Sequence, residues 1–204
     1  MSKDYDRFLR ISAWNFLQQQ EIDALPVDPL LLLSKNGWEA CTYSMLSQRT
    51  GKTIPVIRKK YHTGSFVFWS EKEERFVVCY DADLPAQEIR WLLMQEIAHI
   101  VLGHVSRTVP ILSRAAQERR DLAKSEARGF TRRVLCPSIV LHDCKAFSVA
   151  DIARLCGIPK RVAEYRSKHM QILEERGAFR TDPIEVDVER QFKDFILAQR
   201  KAKG

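Results

Sequence analysis

The chain has 204 residues, 45% hydrophobic and 29% charged, which suits one compact domain or a domain with a small appendage. No stretch approaches the roughly 20 apolar residues of a membrane span, and Met1-Ser2-Lys3-Asp4-Tyr5-Asp6 runs into an amphipathic pattern without the apolar segment of a secretory leader. Five scattered cysteines (Cys41, Cys79, Cys136, Cys144, Cys156) without a Cys-x-x-Cys pair argue against a disulfide framework or a zinc ribbon, so the sequence predicts a cytoplasmic protein with reduced thiols and no membrane partner.

The net charge of +7 is unevenly spread. Residues 1–113 carry 13 Lys/Arg against 13 Asp/Glu, and residues 114–204 carry 20 against 13. This asymmetry predicts a basic surface for an acidic partner, either nucleic acid or protein, or else a solvated helical face.

Tyr5, Phe8, Leu9, Ala13, Phe16 and Leu17 recur at helical spacing and predict a first amphipathic helix ending before Pro26. Asp28 as N-cap, Pro29 at N1 and Gly37 as terminator bracket a second, short helix. Trp38 to Leu46 reads as extended and Ser47 to Lys52 as a loop, while Ser65-Phe66-Val67-Phe68-Trp69 and Arg75-Phe76-Val77-Val78-Cys79-Tyr80 predict a hairpin. Leu84-Pro85 opens a helix running to about Gly103, with Pro110 preventing easy continuation, and another helix covers Ala115 to Leu135 before Pro137. Phe147 to Met170 splits into two helical patterns around Gly157-Ile158-Pro159, and Val186 to Ala202 reads as one last charged helix. Helices, a small sheet, then helices give an α+β fold.

Trp91 to Val105 is apolar except for Gln95, Glu96, His99, Gly103 and His104. A helix apolar all round is buried, so Glu96 and His99 must meet a metal, each other or another buried polar group. Their spacing is that of a zinc-peptidase helix, in which His-Glu-x-x-His puts two imidazoles on one face at i and i+4 with the glutamate beside them as general base. Here Gln95 replaces the first histidine. An amide oxygen is a ligand zinc rarely selects, so metal binding and water activation are expected to weaken.

A zinc peptidase of this kind needs a third ligand from a following helix, and the candidate is Glu126 in Ser125-Glu126-Ala127-Arg128-Gly129-Phe130. With Leu102-Gly103-His104, Phe130, Leu135 and Pro137, this pattern resembles the ImmA/IrrE family of metallopeptidases, whose motif is His-Glu-x-Gly-His followed by a Glu-Ala-x-x-Phe helix ending in Leu-x-Pro. The resemblance covers most of the chain, from the Pro26 to Asn36 helix to about Met170. It implies a zincin-like helical domain with a small antiparallel sheet, zinc as cofactor, Glu96 as catalytic base, and His99 and Glu126 as ligands. Gln95 stands in the first-ligand position, and Ala98 replaces the usual Gly. It also implies a regulatory protein, a DNA-binding repressor in particular, as partner.

Three readings follow. Zinc still binds through His99, Glu126 and a compensating group, with peptidase activity; or the fold persists as an inactive pseudopeptidase that binds its partner; or the motif is a structural polar cluster. His104 is the nearest spare imidazole, but five residues place it about 140° around an ideal helix from His99, so it helps only where the helix ends. His142 and Cys144, expected in a loop after Pro137, are weaker candidates.

Downstream, Ile152 to Ala163 fits a helix-turn-helix pattern with Gly157 at the turn. Lys160, Arg161, Arg166 and Lys168 decorate its second helix, and residues 148–168 offer the alternative of a DNA-binding regulator. The expected organisation is a metallopeptidase-like domain over 1–145 and a helical extension over 146–204.

Overall fold

The computed structural model describes residues 3–62, 64–105 and 114–202. The chain forms two compact units, Asp28–Arg128 and a discontinuous one made of Met1–Val27 with Gly129–Gly204. It does not divide at 145/146. The N-terminal helix α1 (Lys3–Gln19) packs against α10 (Pro183–Gln191), so it belongs with the C-terminal helices.

In the Asp28–Arg128 unit, α2 (Pro29–Lys35) starts as expected: Asp28 accepts hydrogen bonds from the Leu30 and Leu31 amides at 2.9 and 3.5 Å, and Pro29 fills the first turn. The segment expected to stay extended is strand only over β1 (Glu39–Thr42). It then turns into α3 (Tyr43–Thr50), because the Thr42 hydroxyl accepts from the Met45 amide and Gly51 ends the helix at φ +68°. A further helix, α4 (Ile54–Lys60), follows with Thr53 at its N-cap and Pro55 in its first turn.

The hairpin forms as predicted from β2 (Ser65–Ser70) and β3 (Arg75–Tyr80), with Phe66 opposite Cys79. It is part of a three-stranded sheet in the order β1-β3-β2, in which β1 runs parallel to β3 with Cys41 opposite Cys79. Cys41, Val77 and Cys79 share a face with Phe66 and pack against Tyr43 and Ile57. Side chains alternate across a strand, so Ser65 lies on the opposite face. There α5 (Ala86–Val101) packs against β2 and β3 and buries Leu93, Met94 and Ile97 almost completely. Each such side chain contributes about 1.5–3 kcal/mol, which fixes the polar residues between them. Pro110 lies outside the described residues.

The second unit is helical. α6 (Arg114–Leu135) begins among the residues of the first unit and ends in this one. It is followed by α7 (Ser138–Asp143), α8 (Val149–Cys156), α9 (Lys160–Glu175), α10 and α11 (Lys193–Lys201). Phe130 on α6 meets Phe16 on α1 edge-on, with ring centroids 5.4 Å apart. The last helix expected over 186–202 is two, with Phe192 at the junction. The Gln191 amide donates to the Leu17 and Ile22 carbonyls at 2.9 and 2.6 Å, tying α10 to the end of α1. The architecture is thus α+β, with a small mixed sheet and C-terminal helices; the sheet is not purely antiparallel.

Candidate functional site

α5 carries Gln95 and His99 at i and i+4, both half-buried, so they share one face. Glu96 is turned inward and is 9% exposed. Its Oε1 accepts a 2.7 Å hydrogen bond from the Ser65 hydroxyl on β2. Burial raises its pKa from 4.5 to about 7 against the opposing pull of that hydroxyl. A carboxylate poised there is suited to exchanging protons near neutrality. The Ser65 contact went unforeseen, because a serine opening an apolar strand carries no signal of what stands on the far side of the sheet.

The helix ends in the one way that makes His104 useful. Leu102 is the C-cap, Gly103 adopts φ +71°, and the amides of Gly103 and His104 donate to the carbonyls of Ile100 and His99 at 3.0 and 2.9 Å. This left-handed closure is open to glycine. It folds His104 back so that its Nδ1 stands 3.0 Å from Nδ1 of His99. On the other edge of the ring, His104 Nε2 lies 2.6 Å from Glu126 Oε2. The result is a chain, Glu126 to His104 to His99.

Proton placement follows from this chain. An ionised Glu126 requires a proton on His104 Nε2. A neutral His104 then accepts at Nδ1 from His99 Nδ1–H, which leaves the His99 lone pair on Nε2. Burial, together with the nearby charges of His104 and Lys124, lowers the His99 pKa to about 4 and keeps it neutral. Burial also lowers His104 and raises Glu126. The 2.6 Å contact from the Nε2–H of a neutral His104 supports the ionised Glu126 against its burial.

The expected ligand set is brought together, but not to one point. Two imidazole nitrogens on a tetrahedral zinc at about 2.0–2.1 Å stand roughly 3.3 Å apart, so the His99 and His104 Nδ1 spacing is near that of a shared ion. Glu126 faces the other nitrogen of His104, across the ring, where it braces an imidazole as outer carboxylates do beside metal-bound histidines. Gln95 makes no side-chain hydrogen bond among the described residues, and no group of three His, Cys, Asp or Glu among them is placed to hold a metal ion. The arrangement therefore does not fit a three-ligand zinc centre in which His99 and Glu126 bind side by side. His104 stands between them.

No match is found to this chain among known protein families, characterised proteins or solved structures.

The remaining candidates lie in the helical unit. His142 and Cys144 are not in a loop: α7 carries His142, whose Nδ1 meets Asp143 at 2.9 Å and whose Nε2 lies 3.4 Å from Glu174, and Cys144 is its buried C-cap. Lys160, Arg161 and Lys168 are exposed on α9. Arg166 is not part of that surface. It is 3% exposed, and its Nη2 donates to the Cys136 carbonyl and to the Ser138 hydroxyl at 2.7 Å. Among the described residues no helix is long and apolar enough to cross a membrane.

Proposed function

We propose that this chain is a metallopeptidase-related regulatory protein of the ImmA/IrrE kind, acting on a DNA-binding repressor or another regulatory protein chiefly by binding it, with hydrolysis impaired at Gln95. The observation that carries this reading is the interposed His104. Its contacts to His99 and Glu126 let the charged groups of a peptidase-like helix pair satisfy one another, as a retained frame without an efficient metal grip requires. The Glu96 carboxylate, satisfied by Ser65, fits the same account. Zinc binding is weakened by the same substitution, because an amide holds the ion far less firmly than imidazole.

Zinc per chain, measured after purification without chelator, tests this. The expected content is well below one ion per chain, rising toward one in Gln95→His, which restores an imidazole at i to His99. Stoichiometric zinc in the unaltered chain, with peptide cleavage abolished by Glu96→Gln, would replace the binding reading with an active peptidase.

A helix-turn-helix role is the second reading, favoured by one observation: α8 ends on Gly157 in the left-handed region and α9 begins three residues later with Lys160 and Arg161 exposed. Log affinity for duplex DNA falling steeply with log salt would support it. Absence of binding at low salt would remove it.

A further inference from the structure

The helical unit contains a pocket of about 260 Å³ whose wall holds four arginines, Arg10, Arg133, Arg166 and Arg176, against two carboxylates, Asp6 and Glu185. The two carboxylates are engaged. Asp6 pairs with Arg133 at 2.6 Å, and Glu185, itself buried, accepts the Thr181 amide at 3.2 Å. His169, also in the wall, accepts at Nδ1 from Arg166 Nη1 at 3.1 Å. Burial and the neighbouring guanidinium groups keep it neutral, with a pKa near 4. The pocket therefore carries two positive charges in excess.

Arg166 makes that excess informative. It is buried, no carboxylate pairs with it among the described residues, and its Nε–H has no acceptor. Burial pulls its pKa down to about 10, which leaves it cationic at neutral pH. A buried cation without a counter-charge is destabilising unless something supplies one. Arg10, half-buried and within electrostatic reach of Glu185, shares one feature with it: its guanidinium lies 5.3 Å from the centre of the Trp14 ring, and its Nε–H is likewise buried without an acceptor. Two unsatisfied guanidinium donors thus belong to residues lining one small pocket, and Trp14 and Leu173 add an apolar wall.

We propose that this pocket binds a small phosphate monoester, with Arg166 and Arg10 as its principal recognition groups and Arg176 at its exposed rim. The excess charge matches a phosphate, which carries about −1.5 to −2 near neutrality. Planar guanidinium groups fit its oxygens through paired N–H donors. The volume admits a phosphate with a short carbon body, and the apolar wall gives that body a place. The site lies apart in sequence from the Glu96, His99 and His104 cluster and does not depend on the function proposed above.

Isothermal titration of the full chain with glycerol 3-phosphate, inorganic phosphate and malonate, each against sodium chloride at matched ionic strength, tests the proposal. Saturable binding of glycerol 3-phosphate is expected, tighter than that of inorganic phosphate and of malonate. Arg176→Ala and Arg10→Gln should each weaken it about tenfold or more, the scale of a lost charge-assisted contact. Both are chosen because Arg166 also anchors the Cys136 carbonyl, so that Arg166→Lys risks the fold. Malonate binding as tightly as the ester would overturn the phosphate assignment, and inorganic phosphate binding as tightly would overturn the ester. No saturable heat with any of the three, or affinity unchanged in both variants, would overturn the site.

Discussion

Glu126 and His104 meet at 2.6 Å through the ring nitrogen that faces away from His99. The carboxylate expected to share a metal with His99 therefore acts on it through an intervening imidazole, and its first effect is to set which nitrogen of each ring bears a proton.

Removing the intermediary should be costly. His104→Ala leaves the Glu126 carboxylate and the Nδ1 of His99, both half-buried, without their shared partner. Leaving such groups unsatisfied costs about 1–3 kcal/mol. Urea denaturation should register that loss, and a change under about 0.5 kcal/mol would show that the two contacts contribute nothing net.

The turn that delivers His104 can be tested alone. A Cβ at Gly103 would meet nothing within 4 Å, yet the residue sits at φ +71°. Gly103→Ala should therefore cost about 1–2 kcal/mol through backbone conformation and not through crowding. The histidine ring resonances of residues 99 and 104 should shift as well, because the closure that holds them together is weakened. Unchanged spectra would dissociate the turn from the pairing.

Stability should depend on pH through Glu96. Its carboxyl titrates near pH 7 in the folded chain and at its ordinary value of 4.5 when unfolded. Between these values the unfolded chain binds fewer protons, so stability falls as pH rises through this window and stays lower above it. Glu96→Gln removes the effect and should gain up to roughly 3 kcal/mol at pH 8 relative to pH 4.5. His99 has the opposite sign: with its pKa lowered to about 4, its contribution is complete above pH 6.5 and is lost as pH falls toward 4. The two slopes offset each other in the intact protein, and Glu96→Gln should expose a rising curve between pH 4.5 and 6.5. Equal variant-to-parent differences at pH 4.5 and pH 8 would refute the assignment.

In the helical unit, Gln191 is the corresponding test. Its amide serves two backbone carbonyls at the end of α1; the Leu17 carbonyl also accepts the Ile22 amide, so Gln191→Ala should cost about 1–2 kcal/mol, chiefly through the lost bond to the Ile22 carbonyl. Gln191→Glu should be similarly damaging, since a carboxylate offers no donor. Midpoints of thermal unfolding within a degree of the parent would exclude this role for the side chain.

The sequence was most legible where one strong local signal dominated. Asp28-Pro29 placed a helix start, and the aromatic and β-branched runs either side of Glu71 to Glu74 placed the hairpin. The run from Trp91 placed a buried helix whose Glu96 and His99 needed buried partners. It was least legible where short-range signals competed. Trp38 to Leu46 looks extended residue by residue, but Thr42 and Gly51 were the cap and terminator of α3, and Thr53 with Pro55 marked α4. In the site, the i to i+4 rule identified Gln95 and His99, whereas His104 required the helix to stop at the right residue. Arg166 has the spacing of any surface arginine on α9, and the groups that hold it inside, the Cys136 carbonyl and the Ser138 hydroxyl, lie thirty and twenty-eight residues earlier.

The discontinuity of the helical unit has a consequence for synthesis. On a ribosome, residues 28–128 emerge complete and can collapse at once, while α1, made first, has to wait until the opposing surface of α10 has been translated. Until then α6 stands against its apolar stripe of Leu9, Ala13, Phe16 and Leu17, through Phe130, so a nascent chain stalled before residue 183 would present chaperones with a partly uncovered amphipathic segment.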